Sequence, residues 1–153
     1  MERIDLLATA QKLPQFNEKL ALEFTSKRES LVEDMNKRME GRAELADLIG
    51  LNNVEMMKDN HANHARFLES IFYQTSAETL VDTVLWVFKA YRARNFRSSY
   101  WSAQLNGWIE IYKAELSNEC FNAVYPYYSW MLIHIPDFTR LADEKLGAPN
   151  ALH

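Results

Sequence analysis

Glycine and proline are scarce in this chain, four of each in 153 residues, and nearly all of them stand where a helix would begin or end. Glycine stops regular structure through its access to left-handed backbone, and proline through its missing N–H. Between these marks, apolar residues recur at spacings of three and four, and no run shows the period-two alternation of a strand. The pattern predicts an all-α chain with strand content near zero.

Residues 3 to 12 read as a short first helix. Pro14 suits the first turn of a second one, where its missing N–H would have had no partner. Phe16, Leu20, Phe24, Leu31, Met35 and Met39 then form an apolar stripe, and Gly41 suits its stop. A third helix from about Ala43 to Ile49 stops at Gly50, and Asn52 with Glu55 has the spacing of a capping pair opening a fourth that runs to about Tyr73. Thr75 and Glu78 repeat that spacing ahead of helix five. Its segment Leu80 to Phe88 is apolar on nearly every face apart from Asp82 and Thr83, which predicts a central, buried helix. Ser98 can cap a sixth helix from about Ser99 to Leu116, in which Gly107 costs on the order of 1 kcal/mol of propensity and so points to close helix contact. Ser117 can cap a seventh that Pro126 and Pro136 kink or interrupt, and the tail Gly147 to His153 is expected to fray. With no repeat, linker or low-complexity segment, the expectation is one domain, 1–153, of about seven helices.

A chain of this length buries roughly 70% of the surface its unfolded form exposes, so it needs no metal or disulfide staple. With 48% hydrophobic and 25% charged residues it has an ordinary globular composition rather than that of a disordered chain. A net charge of −4 gives no electrostatic reason for a nucleic acid or anionic membrane partner. Cys120 is alone, so no intramolecular disulfide forms, and a cytoplasmic location is the simplest expectation. The start, MERIDLLATAQKLPQF, lacks the apolar core and cleavage site of a signal peptide. The longest uncharged run, Cys120 to Pro136, is shorter than the ~20 residues of a membrane helix and contains Asn122, Pro126 and His134.

Common enzyme motifs are missing. The glycines, at 41, 50, 107 and 147, are too scattered to cradle a phosphate, and no Gly-x-Ser-x-Gly elbow occurs. Cys120 has no recognisable partner and reads as inert packing. The sharpest local pattern is Asn60-His61-Ala62-Asn63-His64. Val54, Met57, His61, His64, Leu68 and Ile71 follow spacings of three and four, so both His replace apolar residues on the inward stripe of helix four. Such a pair can face a metal, a haem or a small polar group. It can equally be a satisfied polar pair in a core or dimer seam, with Asn60 and Asn63 supplying hydrogen bonds. Zinc needs four ligands in a structural site and generally three in a catalytic one. His134, between Met131 and Phe138 at helical spacing, is the remaining candidate third His, and no Cys or carboxylate spacing completes a motif. Lys89, Arg92, Arg94 and Arg97 complement the dipole at the end of helix five, worth ~0.3–1 kcal/mol each.

Of the 19 aromatic residues, 13 lie between Trp86 and Trp130. Helical aromatics pack against one another by default, but so many Tyr hydroxyls need partners that part of the cluster is a candidate cavity wall or interface.

The helix order, with a buried fifth, a sixth beginning Ser98-Ser99-Tyr100-Trp101 and a long seventh containing Pro126, resembles a globin-like fold. It looks most like bacterial sensor globins and the non-haem globin domains at the N-termini of stressosome sensor proteins. In globin-coupled sensors the proximal haem His is followed four residues later by Gly, then by an aromatic pair. That register falls here on Tyr91, Asn95, and Tyr100 with Trp101. Tyr in place of the proximal His argues against His-ligated haem, although Tyr can ligate ferric haem. The resemblance covers most of the chain as a helix pattern, while its residue motif spans about eleven positions.

It implies a non-enzymatic sensory or regulatory domain that pairs as a homodimer through its last helices and passes a pocket signal to a partner protein or output domain. None is present before the sequence ends at His153, so the chain reads as a free-standing regulator or a piece of something longer. The expected pocket lies among helices four to seven, lined by His61, His64, Tyr91, Trp101 and His134. It would hold a small apolar ligand, a fatty acid for example. The alternatives are haem bound through Tyr91 or one of the two His, a metal-dependent enzyme built on His61, His64 and a distant carboxylate, and a purely structural role.

Overall fold

In a computed structural model that describes residues 1–145, the chain forms α1 (Arg3–Ala10), α2 (Glu18–Glu40), α3 (Leu45–Ile49), α4 (Val54–Tyr73), α5 (Ala77–Arg92), α6 (Ser98–Glu115), α7 (Asn118–Ile133) and α8 (Ile135–Lys145). Among the described residues there is no strand. The tail expected to fray from Gly147 lies outside them.

The eighth helix arises from Pro136. A proline has no N–H for the carbonyl four residues back, and its ring crowds that carbonyl, so α7 stops at Ile133 with His134 at its C-cap. The chain restarts as α8, with Pro136 in its first turn. Pro126 is accommodated within α7.

Several helix starts differ from expectation, and of these only α2 and α5 are capped by a side chain. Pro14 stands ahead of α2, which opens at Asn17 when its side chain accepts the Lys19 N–H at 2.8 Å. Phe16 is therefore outside the helix, stacked on Phe72 with ring centroids 4.2 Å apart. Asn52 takes a left-handed turn at φ 63° instead of capping. Asn53 holds the N-cap position of α4, but its side-chain amide donates to Ile49 O at 2.7 Å and Arg94 O at 3.1 Å. Ser76, not Thr75, caps α5, while the Thr75 hydroxyl donates back to Ile71 O. Ser98 is the first residue of α6 and Arg97 its N-cap. Ser117 does cap α7, accepting from Cys120 N–H at 3.2 Å, and Asn95, in the slot that the globin register gives to Gly, adopts left-handed backbone at φ 71°.

α2 carries the central stripe. Phe24, Leu31, Met35 and Met39 are buried where α2 packs along α4 and α6. A Cβ at Gly107 would come within 3.1 Å of Met35 Cε and Arg38 Cδ, so the glycine lets α6 approach α2 closely. α6 in turn packs on α7, whereas α5 packs on α1 and α8. α5 is not buried all round: Trp86 is 67% exposed. Its apolar circumference is divided among α1, α8 and an opening toward α4, rather than surrounded by helices. Arg92, expected at the helix end as a dipole complement, is buried and pinned to Asp143 of α8 by a two-pronged ion pair at 2.5 and 2.8 Å. No helix among the described residues is long and apolar enough to cross a membrane.

Candidate functional site

α4 and α5 diverge above α6 and α7, and the space between them is a cavity of about 230 Å³. Helical spacing explains its walls, since residues three and four apart share a face. α4 contributes Asn60, His64, Phe67 and Leu68, and α5 contributes Val84, Val87, Phe88 and Tyr91. Trp101, Gln104 and Leu105 of α6 and Met131 of α7 close it from behind, with the exposed Trp86 at the edge. No Lys, Arg, Asp or Glu lines it.

His64, Tyr91 and Trp101 are thus brought together as expected, from three different helices. His64 Nε2 and the Tyr128 hydroxyl share a hydrogen bond of 2.6 Å, and Tyr128 shares another of 2.6 Å with the Tyr112 hydroxyl. The imidazole stacks on Trp108, centroids 5.5 Å apart and planes 18° from parallel. Burial pushes the His64 pKa down to about 3, so the ring is neutral. Tyr112, Tyr128 and His64 Nε2 thus form one continuous hydrogen-bonded chain between α6, α7 and α4.

Tyr91 is half-buried, with its ring edge-on to Trp101 at 5.8 Å. Burial raises its phenol pKa, opposed by a hydrogen bond from Asn60. Trp101 stacks on Phe88 at 4.5 Å, and its Nε1–H has no partner among the described residues.

His61 and His134 lie elsewhere. Three residues advance a helix by about 300°, so His61 sits about 60° around α4 from His64 and faces α2 instead of the cavity. It is fully buried, its Nδ1–H donating to Asn36 Oδ1 at 2.6 Å, with its ring edge-on to Trp108. Burial first, and His64 second, lower its pKa to about 3, and its Nε2 has no partner among the described residues. His134 is buried at the α7–α8 corner beside Trp130, 3.2 Å from Asp137 and outside the cavity lining. Burial alone would raise the Asp137 carboxyl, but hydrogen bonds from His134 and the terminal amino group hold it low. Among the described residues no three His, Cys, Asp or Glu stand together as a metal site requires.

Asn60 and Asn63 do not serve the histidines. Asn63 accepts from Arg66, while Asn60 Oδ1 accepts from the Tyr100 hydroxyl at 2.8 Å and from Gln104 Nε2 at 2.5 Å. Gln104 is fully buried and its Oε1 has no partner among the described residues. It went unnoticed in the sequence, yet it stands three residues after Trp101 on the inward face of α6, the same kind of polar intrusion that marked His64. Cys120 is buried and inert, its thiol pushed up to about 12 mainly by burial.

No protein family, curated protein or solved structure matches the chain.

Proposed function

We propose that this chain is a cytoplasmic, non-enzymatic sensory or regulatory domain of globin-like form, which takes a small ligand between α4 and α5 without His-ligated haem. The observation that carries the reading is the cavity itself, walled by His64 on one side and Tyr91 on the other, where the globin resemblance places a ligand. Its neutral polar groups on an otherwise apolar lining suit recognition, since binding sites combine apolar walls with a few convergent polar groups.

Size supports a ligand smaller than haem. An engineered cavity of about 150 Å³ holds benzene, and a tetrapyrrole has several times more atoms than about 230 Å³ admits on that scale. The route to an output runs through α5. This helix forms one cavity wall and is clamped to α8 by Arg92 and Asp143, so a ligand that displaces α5 displaces α8 with it. Pairing of two copies through the last helices is part of the proposal. Tyr125 and Ile133, eight residues apart on α7 and 45% and 68% exposed, offer an apolar face for it.

The deciding experiment joins an absorption spectrum of haem-supplemented protein to mass spectrometry of an organic extract of freshly purified protein. The expected result is no Soret band and recovery of a small molecule. A Soret band that Tyr91→Phe abolishes would return the haem reading instead. Light scattering tests the pairing, with a dimer expected and a monomer at all concentrations counting against it.

A further inference from the structure

The size of the cavity and the chemistry of its walls select among occupants. Its volume, about 230 Å³, corresponds to roughly nine non-hydrogen atoms if about 150 Å³ holds benzene. No Lys, Arg, Asp or Glu lines it, and burial keeps the His64 imidazole neutral. An anion therefore meets no counter-charge, and stripping it of water is strongly disfavoured. A cation would find aromatic rings, but their attraction is small beside the cost of dehydrating an ion that has no paired charge. The occupant that fits is uncharged.

The α6 wall offers little for polar recognition. Trp101 Nε1 and Gln104 Oε1, unpartnered among the described residues, have almost no accessible surface, and Asn60 Oδ1 is taken up by the Tyr100 hydroxyl and Gln104 Nε2. What the walls present instead is rings. His64, Phe67, Trp86, Phe88, Tyr91 and Trp101 make up six of the fifteen described residues that line the cavity, and they come from α4, α5 and α6. An aromatic occupant meets rings from three helices, and such contacts are worth roughly two- to tenfold in affinity beyond the area they bury. An aliphatic molecule of the same size does not obtain that gain. Four of the six rings are already held in place. Phe88 stacks on Trp101 at 4.5 Å, Tyr91 stands edge-on to Trp101 at 5.8 Å, and His64 stacks on Trp108 at 5.5 Å. Little side-chain freedom is therefore lost when a ligand enters.

We propose that the cavity is a site for a small uncharged aromatic molecule, a single ring with a short apolar substituent, held by the rings of α4, α5 and α6. This deepens the reading of the cavity as a ligand site and rests on it.

The test is calorimetric titration with ethylbenzene, ethylcyclohexane, benzoate and benzylammonium, repeated on Phe67→Leu and the cavity-filling Val87→Trp. The two hydrocarbons are compared after correction for their partition from water into hexadecane, which removes their difference in hydrophobicity. On that scale ethylbenzene is expected to bind about two- to tenfold tighter than ethylcyclohexane. Benzoate and benzylammonium should each bind at least about tenfold more weakly than ethylbenzene. Phe67→Leu removes one half-buried ring and should reduce the ratio between the hydrocarbons while both still bind, which a loss of stability alone would not do. An unchanged ratio in that variant, or equal binding of both hydrocarbons by the native protein, overturns the aromatic assignment while leaving the ligand pocket in place. Either ion binding as tightly as ethylbenzene overturns the uncharged assignment in the same way. Val87→Trp should abolish binding, and binding that survives it overturns the site; if that variant does not fold, the ratio in Phe67→Leu decides. If none of the four probes binds, the aromatic class is overturned, and the organic extract then separates the readings: a different molecule recovered keeps the pocket, and an empty extract removes it as well.

Discussion

His64 of α4 and Tyr128 of α7 meet at 2.6 Å across the back of the cavity, and Tyr112 extends the chain by a further 2.6 Å. The contact links the α4 wall to α7, although these two helices are not closely packed backbone to backbone. Tyr128→Phe should therefore destabilise the fold by about 1–3 kcal/mol, the cost of stranding buried polar partners. Adding His64→Phe should cost less than the sum of the two single changes, with a coupling of about 1 kcal/mol. Urea unfolding of the four proteins measures it, and strict additivity would remove the bond from the account.

The fully buried His61 and the half-buried His64 make the fold sensitive to acid. His61 and His64 have native pKa values near 3 against an ordinary 6.5, so between those values the unfolded chain binds protons that the native chain does not. Their contribution is intact above about pH 6.5 and is lost as pH falls below it, at up to about 1.4 kcal/mol per pH unit for each ring. Unfolding free energies measured from pH 7 to 4 should fall more steeply for the native sequence than for His61→Leu/His64→Leu. Parallel slopes would show that the rings are protonated in the folded protein.

The Arg92–Asp143 pair should behave as a buried clamp. Its side chains are 4% and 15% exposed, so Arg92→Met strands a largely buried carboxylate and should cost about 3–5 kcal/mol. Arg92→Met/Asp143→Leu should recover much of that loss, since a buried pair replaced by apolar groups is often neutral. Denaturant unfolding checks both, and a loss below about 1 kcal/mol in the single variant would mark the pair as a surface contact.

Cys120 should be silent until the protein opens. The buried thiol, with its pKa near 12, has almost no thiolate at pH 8, and the thiolate is the reactive form. A chromogenic disulfide reagent should label it only at the rate of unfolding, and in full in denaturant. Rapid labelling of the native protein would contradict the burial.

The helical class was legible because glycine and proline mostly stand near helix ends, Gly107 and Pro126 excepted, and apolar residues recur at helical spacing along α2 and α4. Element ends were harder to read. Asn53, Ser76 and Arg97 stand at the starts of α4, α5 and α6, and of the three only Ser76 accepts a capping hydrogen bond, so the polar residues beside each start do not mark it. Of the candidate site, His64 was visible as a polar residue on an apolar stripe. Gln104 carried the same signal amid the aromatic residues of α6 and was overlooked.

Sequence alone determined the helices and the inward faces, because both follow from periodicities of a few residues. Only the tertiary structure decided which inward residues share a space. His61 and His64 read alike on α4, yet a turn of about 60° around the helix axis sends one against α2 and the other into the cavity. That difference depends on where α2 and α5 lie relative to α4, a matter of packing between distant segments that local spacing does not encode.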